Sequence, residues 1–126
     1  MREIIKTEDA PAAVGAYSQG IVTDNLVVTS GQIPLTPDGE LLEDVGIEDQ
    51  TRQALENVDA ILTAAGTGLA EAIKVTVMLD DIGDYEAMNE VYGSFFTDDP
   101  PARSAFEVGS LPLGAAVEIE AIAPRP

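Results

Sequence analysis

The sequence contains no cysteine and no histidine. Without cysteine it can form no disulfide, no thiolate nucleophile and no thiolate metal site. Without histidine it can form neither a Ser-His-Asp triad nor an ordinary zinc site. Any proton transfer must therefore use a carboxylate, a tyrosine, a lysine, a backbone group or water.

Basic residues are also scarce. Six lysines and arginines face 23 aspartates and glutamates, which gives a formal net charge of -17. The acidic residues are scattered along the chain, so nucleic acid is not an expected partner, because little here could neutralise phosphates. Self-repulsion of this size destabilises a compact fold, and about 1 M salt screens it by shortening the Debye length to roughly 3 Å. The composition thus predicts a halophilic protein that is more stable in molar salt than in dilute buffer.

Two local patterns suggest metal or phosphate sites only superficially. The pairs Asp80-Asp81 and Asp98-Asp99 do not have the spacing of a calcium loop, and solvated loop charge explains them better. Gly66 and Gly68 follow a helical pattern with no Lys-Ser/Thr after them, which is typical of a helix end and not of a phosphate loop. We expect no metal site.

Long apolar runs are absent as well. No stretch approaches the roughly 18 residues of a membrane span, and residues 1–6 lack the apolar core of a signal peptide. A cytoplasmic location is therefore expected. The length of 126 residues predicts a single domain, residues 1–126.

The hydrophobic pattern predicts an α+β fold. Apolar residues at helical spacing indicate two helices, and alternating residues indicate five strands after a short extended start at residues 3–6. The helices are predicted at 47–65 and 85–96, and the strands at 16–22, 25–30, 72–79, 102–108 and 116–123. Two helices covering one face of a mixed sheet is the economical packing. The other face, to which we assign Ala16, Ala105, Ala116 and Ile122, is half apolar and predicts burial against other subunits.

The second helix has a recognisable start and an apolar stripe. Asp84 is predicted to cap it. Its stripe is interpreted as core packing and consists of Tyr85, Met88, Val91, Tyr92 and Phe95. Asn89 lies beside that stripe, where it would ordinarily be an exposed polar residue.

Residues 101–119 contain the most informative polar pair. Arg103 is the only arginine between Arg52 and Arg125, and its guanidinium matches a carboxylate bidentately. Glu118 lies between Val117 and Ile119, where desolvation would raise its pKa towards neutrality and suit it to acid-base chemistry. A structural ion pair between Arg103 and Glu118 is the alternative interpretation, and local features do not separate the two.

Five blocks in order along nearly the whole chain resemble the RidA (YjgF-like, reactive intermediate deaminase) family. They are residues 15–20, 30–34, 57–66, 88–92 and 101–119. The resemblance implies a chorismate-mutase-like fold and a homotrimer with active sites between subunits. It also implies cofactor-free hydrolysis of short 2-enamine and 2-imine acids, such as 2-aminoacrylate, 2-iminopropanoate and 2-iminobutanoate, to 2-keto acids and ammonia. Such an activity removes reactive metabolites.

The resemblance also implies roles for individual residues. Arg103 matches the arginine that grips the substrate carboxylate, and Glu118 matches the glutamate that positions the attacking water. Matching pocket residues are Tyr17, Ser30, Gly31 and Asn89. Ala105 stands where many relatives have cysteine, and it is expected to line the pocket beside Arg103. This departure removes any thiol-based role and bears on the substrate range.

Two other functions remain to be weighed against the deaminase. A non-catalytic ligand-binding or chaperone-like module could use the same fold and clefts, since fold alone does not choose a function. An intact Arg103 and Glu118 favour the enzyme. A ribonuclease or translation inhibitor, as claimed for some relatives, is disfavoured by the anionic surface.

Overall fold

The computed structural model describes residues 1–126. Six strands form one mixed sheet in the order β1-β2-β3-β6-β4-β5, and neighbours are antiparallel except the parallel pair β4–β5. The elements are β1 (Glu3–Ile5), β2 (Gly20–Val22), β3 (Leu26–Thr29), α1 (Ile47–Ala64), β4 (Lys74–Leu79), α2 (Tyr85–Phe95), β5 (Ala102–Glu107) and β6 (Val117–Pro124). Neither α-helix combines the length and the apolar character that crossing a membrane requires.

Both helices pack on one face of the sheet, as the hydrophobic pattern predicts. Alternate residues of β4 and β6 are buried on this face, and so is the apolar stripe of α1. Fully buried side chains at this interface include Leu55, Val58, Ile61, Leu62, Val75, Val77, Leu79, Val117 and Ile119. Each contributes about 1.5–3 kcal/mol relative to an exposed side chain. The α+β prediction is confirmed.

Helix α1 ends as predicted at Gly66. This glycine has φ +86°, a conformation that it adopts without the strain of a side chain. Its N–H donates to the carbonyl of Thr63 at 2.9 Å, and the N–H of Thr67 donates to that of Leu62 at 3.2 Å. These two bonds form a Schellman motif.

The predicted start of α2 is correct, but the predicted capping hydrogen bond from Asp84 is not formed. Asp84 occupies the N-cap position, yet its side chain makes no capping hydrogen bond. The capping carboxylate belongs to Asp81, one turn earlier, which accepts from the N–H of Gly83 at 2.8 Å. The short 3-10 turn Ile82–Asp84 thus begins the helical path before α2 itself.

Strand β2 is shorter than predicted, because the backbone before it leaves the sheet. The Gln19 side chain is buried, accepts from the N–H of Thr7 at 2.7 Å and donates to the carbonyl of Pro11 at 2.8 Å. Backbone pairing beside β3 reaches back to Gln19, whose carbonyl accepts from the N–H of Ser30 at 2.8 Å, while the Gln19 side chain holds this stretch against the preceding loop. Tyr17 therefore lies in a loop.

The second face of the sheet carries no helix. A row in register across it joins Ile4, Ile21, Val28 and Ile122, and Ile4 is 63% exposed. This agrees with the predicted half-apolar open face. The assignment of Ala105 to this face is wrong: Ala105 pairs with Val77, whose side chain is buried under the helices.

A buried hydroxyl on α1 makes a testable stability prediction. Thr51 is completely buried, and its Oγ1 has no hydrogen-bond partner. Replacing the hydroxyl by a methyl in Thr51→Val is expected to raise the free energy of unfolding by about 1 kcal/mol, because an unpaired polar group is no longer desolvated. Urea denaturation measures the change. Thr63→Val, at an exposed site on the same helix, should stay within about 0.5 kcal/mol. A clear loss of stability in Thr51→Val would contradict the expectation.

Candidate active site

A cleft of about 880 Å³ opens beside β6. Its walls come from the loops before β2, after β3 and before β6, together with one strand residue, Glu118. Four of the seven residues predicted for the site line it: Tyr17, Ser30, Gly31 and Glu118. Glu118 and Asp38 are its charged residues, so the cleft contains no positive charge.

Gly31 and Glu118 are brought together by backbone pairing. The chain after β3 continues alongside β6, where the N–H of Gln32 donates to the carbonyl of Ile119 at 2.8 Å and the N–H of Ile119 donates to the carbonyl of Gln32 at 3.0 Å. The Glu118 carboxylate then lies directly over Gly31, and a Cβ at this position would overlap Oε2. Glycine at 31 is therefore required for Glu118 to lie in this position.

The Glu118 carboxyl has an abnormal acidity. Burial, and secondly the negative charge of Glu120, raise the pKa of Glu118 above its ordinary value. A carboxylate with a raised pKa is a better proton acceptor near neutral pH. Because the shift disfavours the ionised form in the fold, stability falls as the pH rises from the ordinary pKa of a glutamate to the raised pKa of Glu118, and this cost is fully present above the raised pKa. The site holds Glu118 at the expense of fold stability.

Ser30 and Tyr17 contribute polar groups to the same cleft. The Ser30 hydroxyl donates to the carbonyl of Ser18 at 2.5 Å, so its single proton is in use and its oxygen is left as an acceptor. Tyr17 is 53% exposed at the mouth of the cleft. Ser30 is therefore suited to a ligand that donates a hydrogen bond.

Buried amides hold the walls of the cleft, and sequence analysis assigned them no role. Asn57 of α1 donates to the carbonyls of Ile33 and Leu35, the latter at 2.8 Å, and fixes the loop after β3. Gln19 fixes the loop before β2 through the bonds described above. The position of Asn57 beside the apolar stripe of α1 could have indicated this role. An amide in such a position is buried, and a buried polar group must be hydrogen-bonded.

Arg103 lies elsewhere, on β5 beneath α2. Its Nη1 donates to Oδ1 of Asn89 and its Nη2 donates to the hydroxyl of Tyr85, both at 2.7 Å. Its Cζ lies 4.6 Å from the ring centroid of Tyr92, within cation–π range. The stripe interpreted as core packing therefore also supplies two contacts to this arginine, from Tyr85 and Tyr92.

The guanidinium is held in place but not saturated. Arginine has five N–H donors. The hydrogen bonds to Asn89 and Tyr85 use one donor each. The side chain is half-buried, so the remaining donors are available to an anion in a preset orientation. The hydroxyl of Tyr92 is buried without a partner, and burial raises the pKa of Tyr92 although Arg103 opposes the shift.

The two groups of predicted residues lie on opposite faces of the sheet. Arg103 pairs with Val75, on the helix-covered face, whereas Glu118 pairs with Met78, on the open face. The ion-pair interpretation of Arg103 and Glu118 is therefore wrong, and the chain's salt bridge joins the N-terminus to Asp24 instead. Ala105 shares the face of Arg103, as expected, but packs against the core and does not line the 880 Å³ cleft.

A six-stranded mixed sheet with two helices on one face and a loop-lined cleft around a half-buried carboxylate defines an α+β protein with a candidate small-molecule site. The chain belongs to the Ribonuc_L-PSP family (endoribonuclease L-PSP, the YjgF/RidA family), whose model matches residues 7–124.

The relatives support this assignment over the whole length. A RutC family protein of Pyrococcus horikoshii is 52% identical over 124 residues, covering 98% of both chains. The 2-iminobutanoate/2-iminopropanoate deaminase of Rattus norvegicus is 44% identical over 123 residues, covering 98% of this chain and 90% of that protein. The crystal structure of E. coli TdcF with bound serine has a TM-score of 0.92 at 44% identity, covering 98% and 99%.

Proposed function

We propose that the protein hydrolyses short 2-imine and 2-enamine carboxylic acids to 2-keto acids and ammonia. The observation that supports this most is the pairing of two incomplete half-sites. One is a cleft with a proton-accepting carboxylate, Glu118, and no cation. The other is a preset arginine, Arg103, with free donors and no acid beside it. A carboxylate substrate needs both.

The half-sites are completed by association of identical chains. Arg103 and Glu118 lie on opposite faces of one sheet, so a second copy must supply one of them. The uncovered apolar face offers the surface for that contact. We infer a homotrimer with sites between subunits.

The reaction follows from the groups that meet in such a site. Arg103 of one subunit binds the substrate carboxylate and fixes the C=N carbon in the cleft of the next. Glu118 accepts a proton from water as the water oxygen bonds to this carbon. The protonated Glu118 returns the proton to nitrogen. Glu118 then accepts the proton of the new hydroxyl as the C=O bond forms and the C–N bond breaks, and the departing ammonia carries this proton away as ammonium. Enamines react after tautomerising to the imine.

Ser30, Tyr17 and Asn89 complete the proposed pocket. The Ser30 oxygen, restricted to accepting, suits an iminium N–H. Tyr17 closes the mouth of the cleft, and Asn89 orients Arg103. Water exclusion and orientation are sufficient here, because the protonated imine carbon is already electrophilic. Ala105 packs against the core beside Arg103, and its small side chain helps to set the shape of the half-site that contains Arg103.

The charge of the protein sets the conditions for the assay. Its 23 acidic residues are nearly all unpaired, since the one salt bridge involves the N-terminus. This supports the proposal of a protein adapted to a salt-rich cytoplasm. The same anionic character, with no basic residue in the cleft, disfavours RNA as a substrate despite the family description.

Keto-acid and ammonia release from freshly generated 2-iminobutanoate, in molar salt, tests the proposal. Glu118→Gln is expected to lower kcat by about 10²–10⁴, the usual contribution of a positioned base. Its melting temperature should not fall, because the change removes a carboxyl that is destabilising when ionised. Wild-type activity should decline on acidification at a higher pH than an ordinary carboxyl would give, since the pKa of Glu118 is raised.

A folded, trimeric wild type that does not accelerate release would reject the deaminase. It would leave the ligand-binding module as the function of this fold. A Glu118→Gln variant with full activity would reject the role of Glu118 but not the reaction.

A further inference from the structure

Leu113, at the mouth of the cleft, has a backbone conformation that its residue type does not favour. Its φ and ψ are 58° and 18°, in the left-handed region. The only other non-glycine residue with positive φ is Asp99, a type that enters this region more readily. The turn requires this geometry, because the N–H of Ala115 donates back to the carbonyl of Pro112 at 3.1 Å. Glycine or asparagine would satisfy the turn with less strain.

The Leu113 side chain does not pack into the hydrophobic core, so burial does not offset the backbone strain. It is 70% exposed, whereas the leucines of α1 and β4 are fully buried. A strained residue with an exposed apolar side chain indicates a function outside folding, since such strain is found at ligand-binding sites.

The surroundings of Leu113 suggest what that function is. Val14 is 85% exposed and Tyr17 is 53% exposed, and both line the same cleft as Leu113 and Glu118. Three large apolar side chains therefore border one cleft, although each is mostly open to solvent. A ligand with an apolar group could bury part of this rim.

We propose that Leu113 is a specificity-determining residue that contacts the substrate side chain and selects imino acids with apolar side chains. The inference rests on the proposed function and deepens it. Arg103 and Glu118 address groups that all 2-imino acids share, namely the carboxylate and the C=N carbon. Discrimination among them must come from groups that meet the side chain. Leu113, Val14 and Tyr17 form the most exposed apolar surface of the cleft, whereas the other large apolar residues that line it, Ile33 and Leu35, are partly buried.

The test compares two imines, produced in the assay by an amino-acid oxidase from leucine and from alanine. Leu113→Asn keeps the turn and removes the apolar contact. We expect kcat/KM for the leucine-derived imine to fall about tenfold, which corresponds to about 1.4 kcal/mol, mainly through KM. The alanine-derived imine should change less than about twofold, since it has only a methyl group to bury. The melting temperature should rise, because strain is relieved.

Leu113→Met is the matched control, since it keeps an apolar side chain of similar volume, and it should preserve the wild-type ratio of the two substrates. An unchanged ratio in Leu113→Asn, with the wild type active, overturns the inference and leaves the deaminase intact. A smaller oligomer in Leu113→Asn also overturns it, because Leu113 would then be a subunit contact. A wild type that accelerates neither imine rejects the proposed function itself.

Discussion

Arg103→Ala is expected to lower kcat/KM for 2-iminobutanoate about 10³-fold, a loss of about 4 kcal/mol, because two charge-assisted hydrogen bonds to the substrate carboxylate disappear. The loss should fall mainly on KM, since the carboxylate is bound in both the ground state and the transition state. Steady-state kinetics in molar salt, with circular dichroism to verify folding, measures it.

Two graded variants separate charge from geometry. Arg103→Lys keeps the positive charge but loses the planar fork, so it should remain about 10²-fold impaired. Tyr85→Phe removes one of the two hydrogen bonds that orient the guanidinium and should cost less than about tenfold. An Arg103→Ala enzyme within twofold of wild type would show that the carboxylate binds elsewhere.

The elements of the fold could be read from the sequence because their patterns are local. Helix α1 was predicted at 47–65 and runs Ile47–Ala64, since its stripe and the glycine that ends it are both explicit. Strand β2 was overestimated because its limit is set by a long-range event, the burial of the Gln19 amide against residues 7–11. No periodicity records such a contact.

Arg103 and Glu118 could be recognised from the sequence as candidate site residues, but the face of the sheet on which each one lies could not be predicted. Arg103 and Glu118 were conspicuous as isolated charges in apolar strands, but their faces depend on register. The parallel pairing of Arg103 with Val75 and the antiparallel pairing of Met78 with Glu118 put them on opposite sides. Strand alternation gives each strand two possible orientations, and only the pairing chooses between them.

The double role of the α2 stripe could not be deduced from spacing alone. Tyr85, Asn89 and Tyr92 lie at i, i+4 and i+7, which is the spacing of any apolar face. Burial of Tyr92 fits the core interpretation. The contacts of Tyr85 and Tyr92 with Arg103 become visible only when β5 is placed under the helix.

Mixing two inactive variants is expected to restore activity. In the proposed trimer, Arg103→Ala supplies an intact Glu118 and Glu118→Gln supplies an intact Arg103. Random assembly at equal amounts should form complete sites at about one quarter of the interfaces, because each of the two adjoining subunits has a chance of about one half of bringing the intact group. At substrate concentrations well below KM, where the rate follows kcat/KM, the two parents should each show at most about 1% of wild-type activity, given the losses expected above.

Co-expression with two different affinity tags isolates the mixed oligomers. Native mass spectrometry should find about three times the 13.2 kDa mass of one chain. The matched control mixes Arg103→Ala with the double variant Arg103→Ala, Glu118→Gln, which contains no intact Arg103 and should recover nothing.

Recovery of activity in the mixture distinguishes a site shared between subunits from a site within one chain, because of the way the strands of the sheet are paired. A site contained within one chain would need Arg103 and Glu118 on the same face, and the strand pairing excludes that arrangement. Subunit mixing could not repair such a site, so mixed trimers that stayed inactive would reject the shared site even if the enzyme were a deaminase. Restored activity in the first mixture, absent from the control, would require that the arginine and the glutamate act on one substrate from two different chains.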